Sequence, residues 1–393
     1  MKSDKKTEES KISNIFSEET LNLIKQRHQL QSLKPKSQED RQKLSSIYKK
    51  TNKNIRKDYN NYRSKIIEKH LSNTGSCKRA YKELCTHKTW IPSLTENSTN
   101  TVNRDNILKI ATNFYKNLYD QNNYISDSIT TTYEEEETVH WNEREIDLEI
   151  KKLKQEKSPG PDGITNEAIK LARTLLTPII TQLFNLINKE QRVPEQWTKS
   201  NIILLYKKGD PKNIGNYRPI SLLPSLYKIF SSCLLSRIAT RIDENQPVEQ
   251  AGFRRGYSTI DHIQVLESIL EKYKEFQRPL YLAFIDYQKA FDSISHNAIW
   301  EALKENKIEK TYIKILQNIY EMSTSRVRLE TTGPEIKIKR GVKQGDPLSP
   351  KLFIAVLEMI FRKLDWKDYG IRIENNHLSH LRFADDIILF SES

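Results

Sequence analysis

Sulfur is scarce in this chain: its 393 residues include three cysteines and three methionines. Cys77, Cys85 and Cys233 form no CxxC pair, which removes the usual zinc-ligand spacing, and three thiols do not suggest a disulfide framework. A reducing intracellular compartment, nucleus or cytoplasm, fits that usage. Long apolar runs are also missing. None approaches the ~20 residues needed to span a bilayer, and the charged start MKSDKKTEESKIS lacks the apolar stretch of a signal peptide. No membrane partner is therefore expected. No GxxxxGK[S/T] occurs, so there is no P-loop, and no internal repeat is detectable.

What is abundant is charge, and it is unevenly placed. With 64 Lys/Arg against 51 Asp/Glu the net charge is +13. Residues 1–120 hold 25 Lys/Arg against 13 Asp/Glu, a net of +12, and residues 41–90 hold 14 against 3. The rest of the chain is nearly neutral. A basic N-terminal region beside a neutral globular one is a footprint for polyanions. A solvated helical linker whose lysines maintain solubility gives the same pattern, and charge alone leaves both open.

The length allows two or three domains. Residues 1–100 read as a basic, helical or disordered, linker-like region, with Tyr59, Tyr62, Ile66 and Ile67 suggesting at most an amphipathic helix. Residues 101–156 read as a helical lead-in, from Ile107, Ile110, Phe114 and Leu118 and then Ile146, Leu148, Ile150 and Leu153. The acidic run Glu134–Glu137 between them reads as a solvated loop. From Lys157 onward strand-like runs, turns and helical patterns alternate, which is an α+β signature.

Several segments of this second part carry chemistry. KSPGPDGI (157–164) has the Pro/Gly content of a specific tight loop. NIILLYKKGDPKNIGNYRPISLL reads as a hairpin projecting Lys207, Lys208 and Arg218; such a basic hairpin suits a triphosphate, and Arg218 at a strand start is the better candidate. QAGFRRGYSTIDHI places Arg254 and Arg255 among glycines and aromatics before a helix, a composition for phosphate contact and base stacking, or simply a helix-entry turn. Around TTGP, period-two alternation puts Arg326, Arg328, Lys337 and Lys339 on one hairpin face. That face suits either a nucleic-acid backbone or solvent.

YLAFI (281–285) is continuously apolar and reads as a strand buried on both faces, ended by Asp286 and followed by Phe291 and Asp292. GVKQGDPLSP leads into a strongly periodic helix, with Ser349 as the expected N-cap and Pro350 at the first helical position. Gln344 and Gly345 precede that helix start, where free N–H groups attract phosphate. LRF, ADD and IILF read as a hairpin presenting Asp385 and Asp386, whose mutual repulsion favours a bound cation. Asp286 and Asp385 lie 99 residues apart in the chain. A carboxylate beside a buried strand is costly unless a metal or an ion pair compensates it, so two such sites suggest a two-metal centre.

FIDYQKAFDSI, RGVKQGDPLSP and LRFADDIILF resemble the three core palm motifs of non-LTR (LINE-type) retrotransposon reverse transcriptases. KSPGPDGI, YKKGDPKNIGNYRPISLL and QAGFRRGYST resemble that family's upstream motifs in the same order, so the resemblance covers Lys157–Ser393. It implies an RNA-directed DNA polymerase of right-hand architecture, with fingers over 157–280 and an antiparallel palm sheet over 281–393, preceded by the largely helical basic region. It implies that Asp286 and Asp385 bind two Mg²⁺ ions (or Mn²⁺), that Asp386 is their less direct catalytic partner, and that Phe291 is the steric gate against a ribose 2′-hydroxyl. Gln344 and Gly345 fall at the nucleotide pocket, Arg218 on the triphosphate, and Lys207 there more weakly. The implied partners are an RNA template, a DNA primer and dNTPs.

The chain stops seven residues after Asp386. Within the resemblance this reads as a palm cut short, without thumb, endonuclease or Cys/His knuckle, so a partial open reading frame with weak or no activity alone is expected. An RNA-directed RNA polymerase shares paired aspartates, but Phe291 argues against ribose. A non-catalytic nucleic-acid-binding relic is the other alternative.

Overall fold

The computed structural model describes residues 15–32, 38–74, 77–84, 91–96, 99–120, 140–374 and 376–393. Glu134–Glu137 and Cys85 lie outside the described residues. The chain divides into two units, Met1–Thr89 and Trp90–Ser393.

In the first unit the helices are Glu18–Ser32, Gln38–Thr74 and Cys77–Leu84. The expectation of at most one amphipathic helix was too low, since Gln38–Thr74 alone runs 37 residues, on the order of 55 Å at 1.5 Å per residue. No Gly or Pro interrupts it, Pro35 precedes it and Gly75 follows it. Leu44, Ile47, Tyr48, Ile55, Tyr59, Tyr62 and Ile66 recur along one stripe at helical spacing. Asp58 Oδ2 ties the first helix down by accepting Ser17 N–H at 2.8 Å and Thr20 Oγ1 at 2.6 Å.

The second unit is α+β. Its first strands, β1 (Leu94–Glu96) and β2 (Thr99–Thr101), form a small hairpin. The next, β3 (Lys199–Tyr206) and β4 (Tyr217–Leu222), pair antiparallel around the KKGDPKNIGN turn. After the single strand β5 (Tyr281–Asp286) come β6 (Thr324–Arg328) and β7 (Thr332–Lys337), which complete a sheet of order β4-β3-β6-β7. The helix Arg104–Tyr119 covers that sheet. Its apolar spacing buries Ile107, Ala111 and Tyr115 against Ile202, Val327 and Ile336, and Asn103 caps its start by accepting the amides of Asp105 and Asn106 at 3.0 and 3.1 Å. The largest core lies among the helices Glu143–Lys152, Arg173–Glu190, Ser225–Glu244, His296–Glu305 and Lys310–Glu321.

Three local expectations need correction. The β6–β7 reversal falls at Leu329–Thr331 rather than around TTGP, and Gly333 sits inside β7, where a Cβ would come within 2.9 Å of Thr112 Oγ1. The alternation nevertheless leaves Arg326, Arg328, Lys337 and Lys339 exposed on one face. Ser349 is not the N-cap but the first residue of the helix Ser349–Arg362; the cap is Leu348, whose N–H is accepted by Asp346 Oδ1 at 3.1 Å. YLAFI is not buried on both faces. It forms the edge of a three-stranded sheet, and Phe284 is 69% exposed. A continuous apolar run reads as doubly buried only if sheet and layers enclose it, and here one edge has no neighbouring strand.

That smaller sheet has the order β10-β11-β5, with β10 (His380–Phe383) and β11 (Asp386–Ser391) joined at Ala384–Asp385; β8 (Ile371–Ile373) and β9 (Asn376–Leu378) form a separate hairpin. The helix Ser349–Arg362 is apolar nearly all round and correspondingly enclosed. Behind the Ala384–Asp385 turn, Arg382 is 1% exposed, stacks over Phe361 at 4.1 Å and donates to Glu358 Oε1 at 2.7 Å. In front of it the segment Glu249–Gly252 lies along β10. Gln250 Oε1 accepts both Gly252 N–H at 2.8 Å and Ala384 N–H at 2.9 Å. Gly252 is needed there, since a Cβ would sit 2.2 Å from Ala384 N.

Two stability outcomes follow. Glu358→Ala leaves the Arg382 charge buried and unpaired, and should cost about 3–5 kcal/mol in denaturant unfolding, whereas Glu358→Leu with Arg382→Met should lose far less. Gly252→Ala should cost about 1–3 kcal/mol through backbone overpacking, read as a lower unfolding midpoint. An unchanged midpoint in Gly252→Ala would refute the close approach.

Candidate active site

The β5–β11 register decides where the acidic groups go. Antiparallel pairing runs from Tyr281↔Ser391 to Asp286↔Asp386, so the end of β5 meets the start of β11. Asp385, in the turn preceding β11, then faces the same cleft as Asp286. The cleft is about 570 Å³ and is also bounded by Lys207, Arg218, Phe291 and Gln344. Asp386 is exposed and does not line it.

Electrostatics in this cleft are strained. Half-buried Asp385 is raised above the ordinary carboxylate range by desolvation and by the charges of Asp386 and Asp286, and Lys207 pulls it back. A carboxylate whose ionisation its neighbours disfavour gains from a bound cation, and oxygen donors alone suit a hard divalent one. Among the described residues no group of three or more His, Cys, Asp or Glu is arranged to hold a metal. Asp286 and Asp385 thus offer carboxylate oxygens to a divalent cation that completes its shell with other oxygens.

The basic hairpin forms one wall. Lys207, Lys208 and Arg218 are exposed and line the cleft. Phe291 forms part of the floor, stacked on Phe353 with centroids 4.4 Å apart and edge-on to Phe253 at 6.0 Å. Gly345, at φ +116°, passes so close to β4 that a Cβ would lie 2.8 Å from Ser221 O, a conformation and a spacing that need glycine. Gln344 O accepts Ser221 N–H at 2.7 Å, which pins this loop to the β3–β4 sheet.

The remaining basic candidates lie elsewhere. Arg254 donates to Pro247 O at 3.0 Å and covers Tyr257 at 4.4 Å, so its side chain helps to hold its own loop. Arg255 is exposed. Arg326 pairs with Glu335 at 3.2 Å and Lys339 with Asp120 at 2.6 Å, while Arg328 and Lys337 are exposed; none of the four lines the cleft.

Sequence reasoning missed the polar groups beneath the floor. Asp346 is buried and its carboxylate accepts from Tyr227 OH, Ser231 Oγ and Leu348 N–H, which shapes the loop before the helix. Lys343 is buried with its ammonium 5.5 Å from the Tyr227 ring and 5.9 Å from the Tyr320 ring, and burial lowers it to about 8. Asp292 is 2% exposed, and burial pushes it up to about 6 against the opposing Lys289 charge. A signal existed for Asp292, because an acid one residue after the aromatic of KAFD falls on the inward side of a short helix. Its partners, Tyr119 and Gln344, are too distant in sequence to be guessed.

Residues 206–393 match the family described as reverse transcriptase (RNA-dependent DNA polymerase). The chain is 32% identical over 250 residues to the retrovirus-related Pol polyprotein from the type-2 retrotransposable element R2DM of Drosophila melanogaster, a match covering 63% of this chain and 23% of that protein. It is 33% identical over 255 residues to the corresponding polyprotein from a type-1 retrotransposable element R2 of Popillia japonica, covering 63% and 34%. A similar 31% identity over 208 residues, 52% of this chain and 23% of the relative, links it to the RNA-directed DNA polymerase from the mobile element jockey of Drosophila melanogaster. The chain thus spans about a quarter to a third of the length of these relatives. An apo telomerase from Candida tropicalis, truncated from its C-terminal domain, aligns over 55% of this chain and 49% of that one at 17% identity, with a TM-score of 0.37. The match to the reverse transcriptase family and the similarity to retrotransposon polyproteins thus fall on the segment that holds the acidic cleft.

Proposed function

We propose that the cleft adds a dNTP to the 3′-hydroxyl of a DNA primer under direction of an RNA template, with residues 157–280 acting as fingers and 281–393 as palm. The observation that carries this reading is the β5–β11 register, which sets Asp286 opposite Asp386 and gives Asp286 and Asp385 one cleft.

Placement supports the following roles. Asp286 and Asp385 would hold Mg²⁺ or Mn²⁺, and two such ions would supply neutralisation of the charge that develops on the reacting oxygens. Asp386, outside the cleft lining, acts through its charge on Asp385. Arg218 clamps the triphosphate with a planar fork, and Lys207 and Lys208 add point charges to the same wall. The Phe291 ring, held between Phe253 and Phe353, blocks a 2′-hydroxyl and so favours deoxynucleotides. Arg255, Arg328 and Lys337 are exposed cations available to the template–primer backbone. Such substrates place the protein in the nucleus or the cytoplasm.

The test is single-nucleotide incorporation of dTTP on oligo(dT)–poly(rA) with Mg²⁺, together with Fe²⁺-driven backbone cleavage as a metal footprint that needs no turnover. Asp286→Asn and Asp385→Asn should each lower incorporation by about 10³-fold or more and remove cleavage beside the cleft, with unfolding midpoints no lower than that of the unsubstituted chain, since each relieves repulsion. Incorporation that survives either substitution would sink the reading. Phe291→Val should raise UTP use relative to dTTP by about 10–100-fold; an unchanged ratio would remove Phe291 as the gate.

A further inference from the structure

Asp292 joins three elements at the edge of the cleft. It follows Phe291 in the short helix Ala290–Ser293 that comes after β5. Its Oδ1 accepts the hydroxyl of Tyr119, the last residue of the helix Arg104–Tyr119, at 3.2 Å. Gln344 Nε2 donates to both carboxylate oxygens, at 3.3 and 3.1 Å. Gly341 approaches from the same loop, so closely that a Cβ there would be 2.7 Å from Asp292 O. The Gln344 backbone is already fixed by Ser221, so the side-chain amide is the part of Gln344 that Asp292 controls.

We propose that Asp292 is a positioning residue for nucleotide binding: as a carboxylate it takes the Gln344 N–H donors and thereby turns the Gln344 carbonyl toward the cleft as an acceptor. This rests on the cleft being the nucleotide pocket. The chemistry is set by donor count. An ionised carboxylate accepts only, so the amide must present Nε2 to it; a protonated one also donates, and then accepts no longer from both directions. Protonation of Asp292 frees the amide to reverse, and the cleft then meets a donor where it met an acceptor. The nucleotide group served is therefore a hydrogen-bond donor.

Lys289, Tyr119 and Tyr115 are titratable neighbours of Asp292. Lys289 on its own segment stabilises the ionised form, as do the hydrogen bonds from Tyr119 and Gln344, while burial opposes ionisation. Tyr115, one turn before Tyr119, is itself raised by burial and by the Asp292 charge, so it stays a neutral phenol. Lys289 lies over the Phe114 ring at 4.7 Å, which holds its ammonium near Asp292. The Asp292 carboxyl titrates at about 6.

The experiment reads the switch and its consequence separately in the 393-residue chain. With ¹⁵N-glutamine labelling, and Gln344→Met to assign the signal, the Gln344 side-chain amide should move between pH 5 and 8 with a midpoint near 6. Asp292→Asn should abolish that step. Tyr119→Phe removes a hydrogen bond that lowers Asp292, so its midpoint should rise. Equilibrium binding of dTTP to the chain on oligo(dT)–poly(rA) with Mg²⁺ should weaken about tenfold from pH 7.5 to pH 5, because about one-tenth of the molecules keep the carboxylate there. In Asp292→Asn the affinity should be flat with pH. A Gln344 signal that does not move, or that moves equally in Asp292→Asn, overturns the proposal, and so does tenfold weakening that persists in Asp292→Asn. If the Gln344 signal titrates while dTTP fails to bind at pH 7.5, the Asp292–Gln344 coupling stands and the assignment of the cleft to nucleotides falls.

Discussion

Pairing β5 with β11 forces negative charge together. The register brings Asp286 beside Asp386 and leaves Asp385 at the adjoining turn, and no acidic chain would adopt that arrangement for its own stability. The sheet holds it because the cost is spread over buried contacts on both faces of β11. Ile387 packs with Phe353 and Ile354 of the helix Ser349–Arg362, Phe390 packs with Ile269 and Leu381 on the opposite face, and the Arg382–Glu358 pair anchors β10. Gln250 then fixes the turn itself by accepting the Ala384 amide. Stability elsewhere thus sustains a site that is repulsive until a cation enters it.

Asp292 repeats the pattern on a smaller scale. Holding it buried raises it from 3.8 to about 6, which at neutral pH costs on the order of 3 kcal/mol at 1.36 kcal/mol per unit. The sign is that of an acid whose folded value is raised: the more stable, protonated state is fully present below about 3.8 and is lost as pH rises through about 6. Perturbed acids that face a cleft concentrate at functional sites. Tyr119 and Gln344 retain the carboxylate despite the cost, and they connect the lead-in helix to the loop that borders the cleft.

Two hairpins were legible because each carries its own local physics. Apolar runs on both sides of ADD specify a hairpin, and β10 and β11 pair around it, with Asp385 in the turn and Asp386 opening β11. The basic hairpin was readable from two apolar strands around a Gly/Pro/Asn turn, and β3 and β4 pair in that manner. The failures came where context decides. YLAFI has the composition of a central strand and lies at an edge, because burial depends on neighbours that a run of five residues does not encode. Ser349 has the right side chain for a cap, but the helix begins one residue earlier, at a Leu348 cap whose amide is accepted by Asp346, itself held by Tyr227 and Ser231. The basic residues of β6–β7 sit on the expected face, yet Glu335 and Asp120 occupy two of them.

By itself the sequence determined the local elements and the types of side chain available to the cleft, since turns, alternation and helix breakers act over a few residues. It also carried the resemblance to reverse transcriptases, through motifs in a fixed order. Tertiary structure alone decided which acids share the cleft, which cations find an acidic partner, and that Asp292 holds Gln344 across 52 residues of chain. The physical reason is range: backbone propensity is set by near neighbours, whereas burial, repulsion and hydrogen-bond partnership are set by whatever the fold brings alongside.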